Sequence, residues 1–120
     1  MSLSYTYQLV PDTNIVSIAL EGRLLSKEDA AEATHIIEQQ IEKGNNQVLL
    51  NIDKLDFMNS TGINVFISYL TKCRNSGGEL VITNVSPKIE QLLVVTKLFS
   101  VFTIAQNQEE GLSKLLQTQD

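Results

Sequence analysis

The residues best suited to chemistry in this chain stand together in FMNSTG, Phe57 to Gly62. Asn59, Ser60 and Thr61 follow an apolar run and precede a helical pattern. Hydroxyls and an amide add nothing to an apolar core, so they either begin a helix or face something outside it. The other candidates are few. His35, the one histidine, lies beside an apolar helical stripe and could act as a base only with a nucleophile close by; it reads as a solvated or half-buried structural residue. Cys73, the one cysteine, falls on a core stripe, where a thiol behaves as a small hydrophobe. Asp53 and Asp56 read as solvated aspartates of a loop, because a metal would need a further ligand. The chain has no G-x-x-x-x-G-K-[ST] loop to cradle phosphates and no G-x-G-x-x-G opening a helix. The expectation is a protein that is not an enzyme and takes no cofactor or metal.

Positioning these residues requires alternating strands and helices. Tyr5, Tyr7 and Leu9 alternate with polar residues at the period of a half-buried strand. Turn residues at Pro11 to Asn14 and strand composition from Ile15 to Leu20 complete a hairpin. Ser26, with Asp29 three residues on, reads as the start of a helix carrying Ala30, Ala33, Ile37 and Ile41, which Gly44-Asn45-Asn46 ends. QVLLNI, Gln47 to Ile52, is too short for a helix and apolar at its centre, the pattern of a central strand buried on both faces. After FMNSTG, the spacing of Ile63, Phe66, Ile67, Leu70 and Cys73 predicts a second helix, stopped by Gly77-Gly78. A strand over 79–83 follows, then Ser86-Pro87 opens a third helix with Ile89, Leu92 and Leu93, and Leu98 near its end. Val101 to Ile104 reads as a short strand. Asn107 with Glu110 caps a last helix bearing Leu112, Leu115 and Leu116. The order β-β-α-β-α-β-α-β-α predicts an α/β fold, a mixed, mostly parallel sheet with an N-terminal hairpin and about four flanking helices. No linker or repeat divides residues 1–120, so a single domain is expected.

The totals narrow the partners. A chain of 120 residues can bury a real core without staples, and one cysteine excludes an internal disulfide framework. A net charge of −5, with scattered Lys and Arg, argues against nucleic acid. MSLSYTYQLV lacks the basic and apolar regions of a secretory signal, and LLVVTKLFSVFTIA is broken by Lys97 and too short to span a bilayer. The expected setting is the cytoplasm, without membrane insertion.

Within an open α/β sheet, partners meet the chain beyond the carboxyl ends of strands, which is where Ser60 stands. The simple reading is structural: Ser60 or Asn59 caps the second helix, Thr61 is its first residue, and Gly62 lets it pack closely. The following helix carries a further line, Val65, Tyr69 and Lys72, set away from the core stripe and flanked by Asn64, Ser68 and Thr71. Such a face is either a protein contact or bare surface.

NIDKLDFMNSTGINVF resembles the signature of the STAS domain, the fold of bacterial anti-sigma factor antagonists: a hydrophobic strand, then Asp-Ser-Ser/Thr-Gly-Leu-Gly opening a helix. The likeness runs on through NSGGELV from Asn75, NVSP from Asn84, TKLF from Thr96 and NQEEGL from Asn107. It implies that the unphosphorylated protein binds an anti-sigma factor that is also a serine kinase, releasing a sigma factor. Phosphorylation of the serine, here Ser60 with Thr61 as the neighbouring hydroxyl, ends that complex, and a serine phosphatase restores it. The implied contact comprises Asn59, Ser60, Thr61, Gly62, Asn64 and the helix face of Val65, Ser68, Tyr69 and Lys72. Three positions depart from the pattern: Asn59 stands for the acid before the serine, Asn64 for the second glycine, and Leu25 for an acid in the loop after the second strand. An alternative use of the same fold is a stressosome-like or transporter-associated subunit without phosphorylation switching.

Overall fold

Long β-branched and aliphatic runs build a five-stranded sheet in the computed structural model, which describes residues 3–117. Strands β1 (Leu3–Leu9) and β2 (Ile15–Leu24) form the antiparallel hairpin, while β3 (Gln47–Met58), β4 (Glu79–Thr83) and β5 (Thr103–Ala105) continue the sheet in parallel. Spatial order follows chain order, with β3 central. The crossovers carry α1 (Ala31–Glu42), α2 (Ser60–Asn75) and α3 (Pro87–Val95), and α4 (Gln108–Gln117) follows β5.

The two faces of the sheet bury different sets. Val48, Leu50 and Ile52 of β3 join Ile18, Leu20, Ile63, Phe66 and Leu70 in the larger core beneath α1, α2 and α3. Leu49 points the other way, toward Ile15, Val81, Ala105 and Leu115 of α4. This alternation is why QVLLNI is apolar without a visible period: both of its faces are covered. Close approach of α4 requires Gly111, where an added Cβ would lie 2.5 Å from Leu49 Cδ1 and 2.6 Å from Thr83 Cγ2.

Two strands are longer than their composition predicts. β3 runs to Met58, and β2 to Leu24, so Asp53 and Asp56 lie on exposed strand positions and not in a loop. Beyond Asn51, β3 has no partner in β4, and the two strands go on as a ribbon. The register shifts between Ala19 and Glu21 and again between Gly22 and Arg23, each time adding one residue to β3. Such bulges bend and twist a ribbon, and Gly22 supplies the positive φ of 108° that a side chain would resist. Charged residues hide this extension from a periodicity argument, because only Leu55 and Met58 of its inner face are buried.

Smaller corrections follow the same logic. Ser26 and Asp29 do pair as expected, Ser26 Oγ accepting from Asp29 N at 3.3 Å and Asp29 Oδ2 accepting from Ser26 N at 3.1 Å. They open a 3₁₀ turn, Glu28–Ala30, ahead of α1. Phe99–Val101 is a second 3₁₀ turn, so the last strand begins two residues later than Val101, at Thr103. Leu98 lies past α3, half-buried, and Leu116 is exposed because only Leu115 of that pair faces the sheet.

Candidate functional site

The ribbon delivers Leu24 and Met58 side by side, so the β2–α1 and β3–α2 loops meet at the start of α2. Asn59 is the N-cap. Its Oδ1 accepts from Thr61 N at 3.0 Å and shares Gly62 N, at 3.4 Å, with the Asn59 carbonyl, which accepts from the same N–H at 3.0 Å; the side chain thus caps the first turn. Its Nδ2 donates to the Leu25 carbonyl at 3.1 Å and ties the two loops together.

Asn59, and not Ser60, therefore does the capping. Ser60 is the first helical residue, exposed, with Thr61 after it and half-buried. Gly62 behaves as expected: a Cβ there would stand 2.9 Å from Met58 Cβ and 3.3 Å from Leu24 Cδ2, so the helix start is pressed onto the ribbon.

The start of α2 forms a ridge between two depressions. One, of about 510 Å³, is bordered by Ser60 and lined by Phe57, Lys88, Ile89, Leu92 and Val95. Val95 is 70% exposed and Phe57 36%, so this wall is apolar surface left open to solvent. Cations flank its aromatic ring, with Lys88 Nζ 5.1 Å and the Arg23 guanidinium carbon 5.9 Å from the Phe57 centroid. Sequence reasoning missed this wall. The exposed Val94 and Val95 beside the buried Leu93 were the available signal, because an apolar run wider than one helical face leaves part of itself outside.

The second depression, about 540 Å³, lies between α1 and α2 and brings Thr61, Asn64, Ser68 and Lys72 together with Lys27 and Thr34. Asn64 is exposed, and Lys72 donates to Ser68 Oγ at 3.0 Å while lying 3.7 Å from Glu38. Val65 and Tyr69 are corrections. They form the floor under α1 and not a presented face; Val65 is 7% exposed and Tyr69 0%. Tyr69 also shares a 2.8 Å hydroxyl–hydroxyl hydrogen bond with Thr34, and burial raises its pKa. The expected separation from the core stripe fails because α1 packs over that side of α2, which no period within α2 reveals.

His35 is exposed on α1. Cys73 is fully buried, and burial with the nearby Glu79 carboxylate pushes its thiol up to about 12. Among the described residues, no group of three or more His, Cys, Asp or Glu side chains could hold a metal ion. No helix among them is long and apolar enough to cross a membrane.

Comparison with known proteins decides the family, since the STAS domain matches residues 8–111. The chain is a member of the STAS domain family. This STAS domain is similar to BtrV of Bordetella bronchiseptica, proposed to be an anti-sigma factor antagonist, with 26% identity over 75% of this chain and 77% of that one. It is also similar to the anti-sigma F factor antagonist of Paenibacillus polymyxa, with 29% identity over 57% of this chain and 58% of the relative. Among solved structures it shares its fold with an anti-sigma factor antagonist of Mycobacterium paratuberculosis, at a TM-score of 0.80 and 11% identity, covering 96% and 95% of the two chains. Phosphorylated SpoIIAA of Bacillus superimposes with a TM-score of 0.71 at 20% identity, over 92% of this chain and 98% of that one. A SpoIIAA described as an anti-sigma factor antagonist and solved in its unphosphorylated form matches at a TM-score of 0.77 and 20% identity, covering 95% of this chain and 97% of that one.

Proposed function

We propose that this STAS domain is an anti-sigma factor antagonist, a single-domain binding module with no catalysis of its own, acting in the cytoplasm. Unphosphorylated, it binds an anti-sigma factor that is also a serine kinase and so frees a sigma factor. Phosphorylation of Ser60 ends the complex, and a serine phosphatase restores it; Thr61 is the weaker acceptor. The observation that carries this reading is the exposed Ser60 at the first position of α2, released from capping by Asn59. The names of the curated relatives support the partner class. Asn59, Thr61, Asn64, Ser68 and Lys72 form the contact around the serine, over the floor made by Val65 and Tyr69; Gly62 is buried against the ribbon and supports the contact without joining it.

The physics suits a switch. Phosphoserine brings about −1.5 to −2 charges at neutral pH, and free N–H groups with the helix dipole tolerate an anion at a helix N-terminus. The domain stays folded while its surface changes. A hydrated dianion in the contact opposes docking, and a loss of about 3 kcal/mol weakens binding roughly a hundredfold.

A second reading, a constitutive subunit of a stressosome-like or transporter-associated complex, draws on Asn59, Asn64 and Leu25 at the three departing positions. Affinity capture from native lysate with the wild type and Ser60→Asp separates the two. The switch reading expects an ATPase-fold serine kinase on the wild type and not on the variant. Retention of the same partner by both leaves Ser60 as an ordinary helix residue.

A further inference from the structure

Among the described residues, strand β1 has a strand neighbour on one side only, which leaves the backbone donors and acceptors of its outer edge without a strand partner. Such an edge is usually blunted by charge, proline, a bulge or brevity. The opposite edge, β5, is three residues long. β1 has seven, LSYTYQL, with no charged residue, no proline and an unbroken register against β2. In a chain of net charge −5 this is a strip along which two copies can approach without direct repulsion.

Its sequence is also nearly palindromic about Thr6. Antiparallel pairing of two copies with Thr6 on the two-fold axis sets Tyr7 opposite the partner's Tyr5, Leu9 opposite the partner's Leu3, and Gln8 opposite the partner's Ser4. Directly opposite residues share a face, so each exposed apolar side chain meets an anchored one. Tyr7 is 44% and Leu9 48% exposed, whereas Leu3 is buried and Tyr5 packs against the core. A two-fold axis demands this self-complementarity. We propose that β1 is a homodimerisation edge, joining two five-stranded sheets into one continuous sheet through the Thr6 axis. A seven-residue strand pair is small beside the roughly 1,200–2,000 Å² of stable interfaces, so the dimer is weak and concentration-dependent. Glu32 lines one depression beside this strand, and Glu21, Asp53 and Lys54 line another; the balance of these charges is acidic, so added salt strengthens pairing.

Sedimentation velocity on the full chain, over a concentration series to about 1 mM, tests the inference. The wild type shifts from monomer to dimer. Thr6→Lys and Thr6→Glu, both at an exposed position, place like charges opposite each other and weaken the dimer about tenfold. An equimolar mixture of the two regains it, because the charges now pair across the axis. A wild type monomeric throughout, variants that dimerise like the wild type, or a mixture that recovers nothing each overturn the proposal.

Discussion

Asn59 holds the Leu25 carbonyl through Nδ2 at 3.1 Å while its Oδ1 accepts from Thr61 N at 3.0 Å. One side chain thus caps α2 and pins the neighbouring loop. A carboxylate has no N–H and could do only the first, so the amide at this position is a specific solution. The charge lost relative to an acid is exchanged for a bridge between two loops.

Separate substitutions resolve the two roles. Asn59→Ala removes cap and bridge, with an expected cost of about 2 kcal/mol in urea unfolding. Asn59→Asp keeps the cap and gains from the helix dipole, so its cost is about 1 kcal/mol or less. Equal losses for the two variants would mean that the cap contributes nothing, and no loss for Asn59→Asp would mean that the bridge contributes nothing.

Gly62→Ala is expected to destabilise by about 1 kcal/mol in the same assay. Alanine gains about 1 kcal/mol in helix propensity, but overpacking against Met58 and Leu24 costs about 1–3 kcal/mol. The nearest atom, Met58 Cβ at 2.9 Å, belongs to the ribbon and cannot swing away. A stabilised variant would show that the ribbon yields.

Tyr69→Phe tests the corrected helix face. Loss of the 2.8 Å bond to Thr34 should cost about 1 kcal/mol in stability. Partner capture should be unchanged, because the hydroxyl lies beneath α1. A variant of normal stability that fails to bind would return Tyr69 to the contact surface.

Most of the fold was legible in the sequence, and the reasons differ by element. The hairpin and α1, α2 and α4 announce themselves by period and caps, and Ser86-Pro87 opens α3 as read, with Ser86 Oγ accepting from Ile89 N at 3.3 Å. The β2–β3 ribbon was hidden because bulges reset the alternation and place Asp53, Lys54 and Asp56 outward. At the site, spacing placed the start of α2 near Ser60, but the choice between Ser60 and Asn59 as cap depended on how the side chains are held in the fold. The burial of Tyr69 depended on where α1 lies, a long-range fact that local pattern does not encode.

Alkaline pH should weaken the fold through groups buried in their neutral forms. The Cys73 thiol titrates near 12 when folded against an ordinary 9.0, so between these values the unfolded chain releases a proton that the folded one keeps. Stability is complete below about pH 9 and falls as pH rises, by up to about 1.4 kcal/mol per pH unit from this group. Tyr69 shifts in the same direction. Cys73→Ala should flatten part of that slope, measured by urea midpoints from pH 8 to 11. The native thiol should also resist a disulfide reagent at pH 8 until the chain unfolds. Rapid labelling of the folded protein contradicts the burial assigned to it.

The most direct test of the account is the affinity of the captured kinase for this protein in two forms, unmodified and stoichiometrically phosphorylated on Ser60. Titration calorimetry should show roughly a hundredfold weaker binding to the phosphorylated form, with both forms equally folded. Affinities within about twofold of each other would contradict the switch.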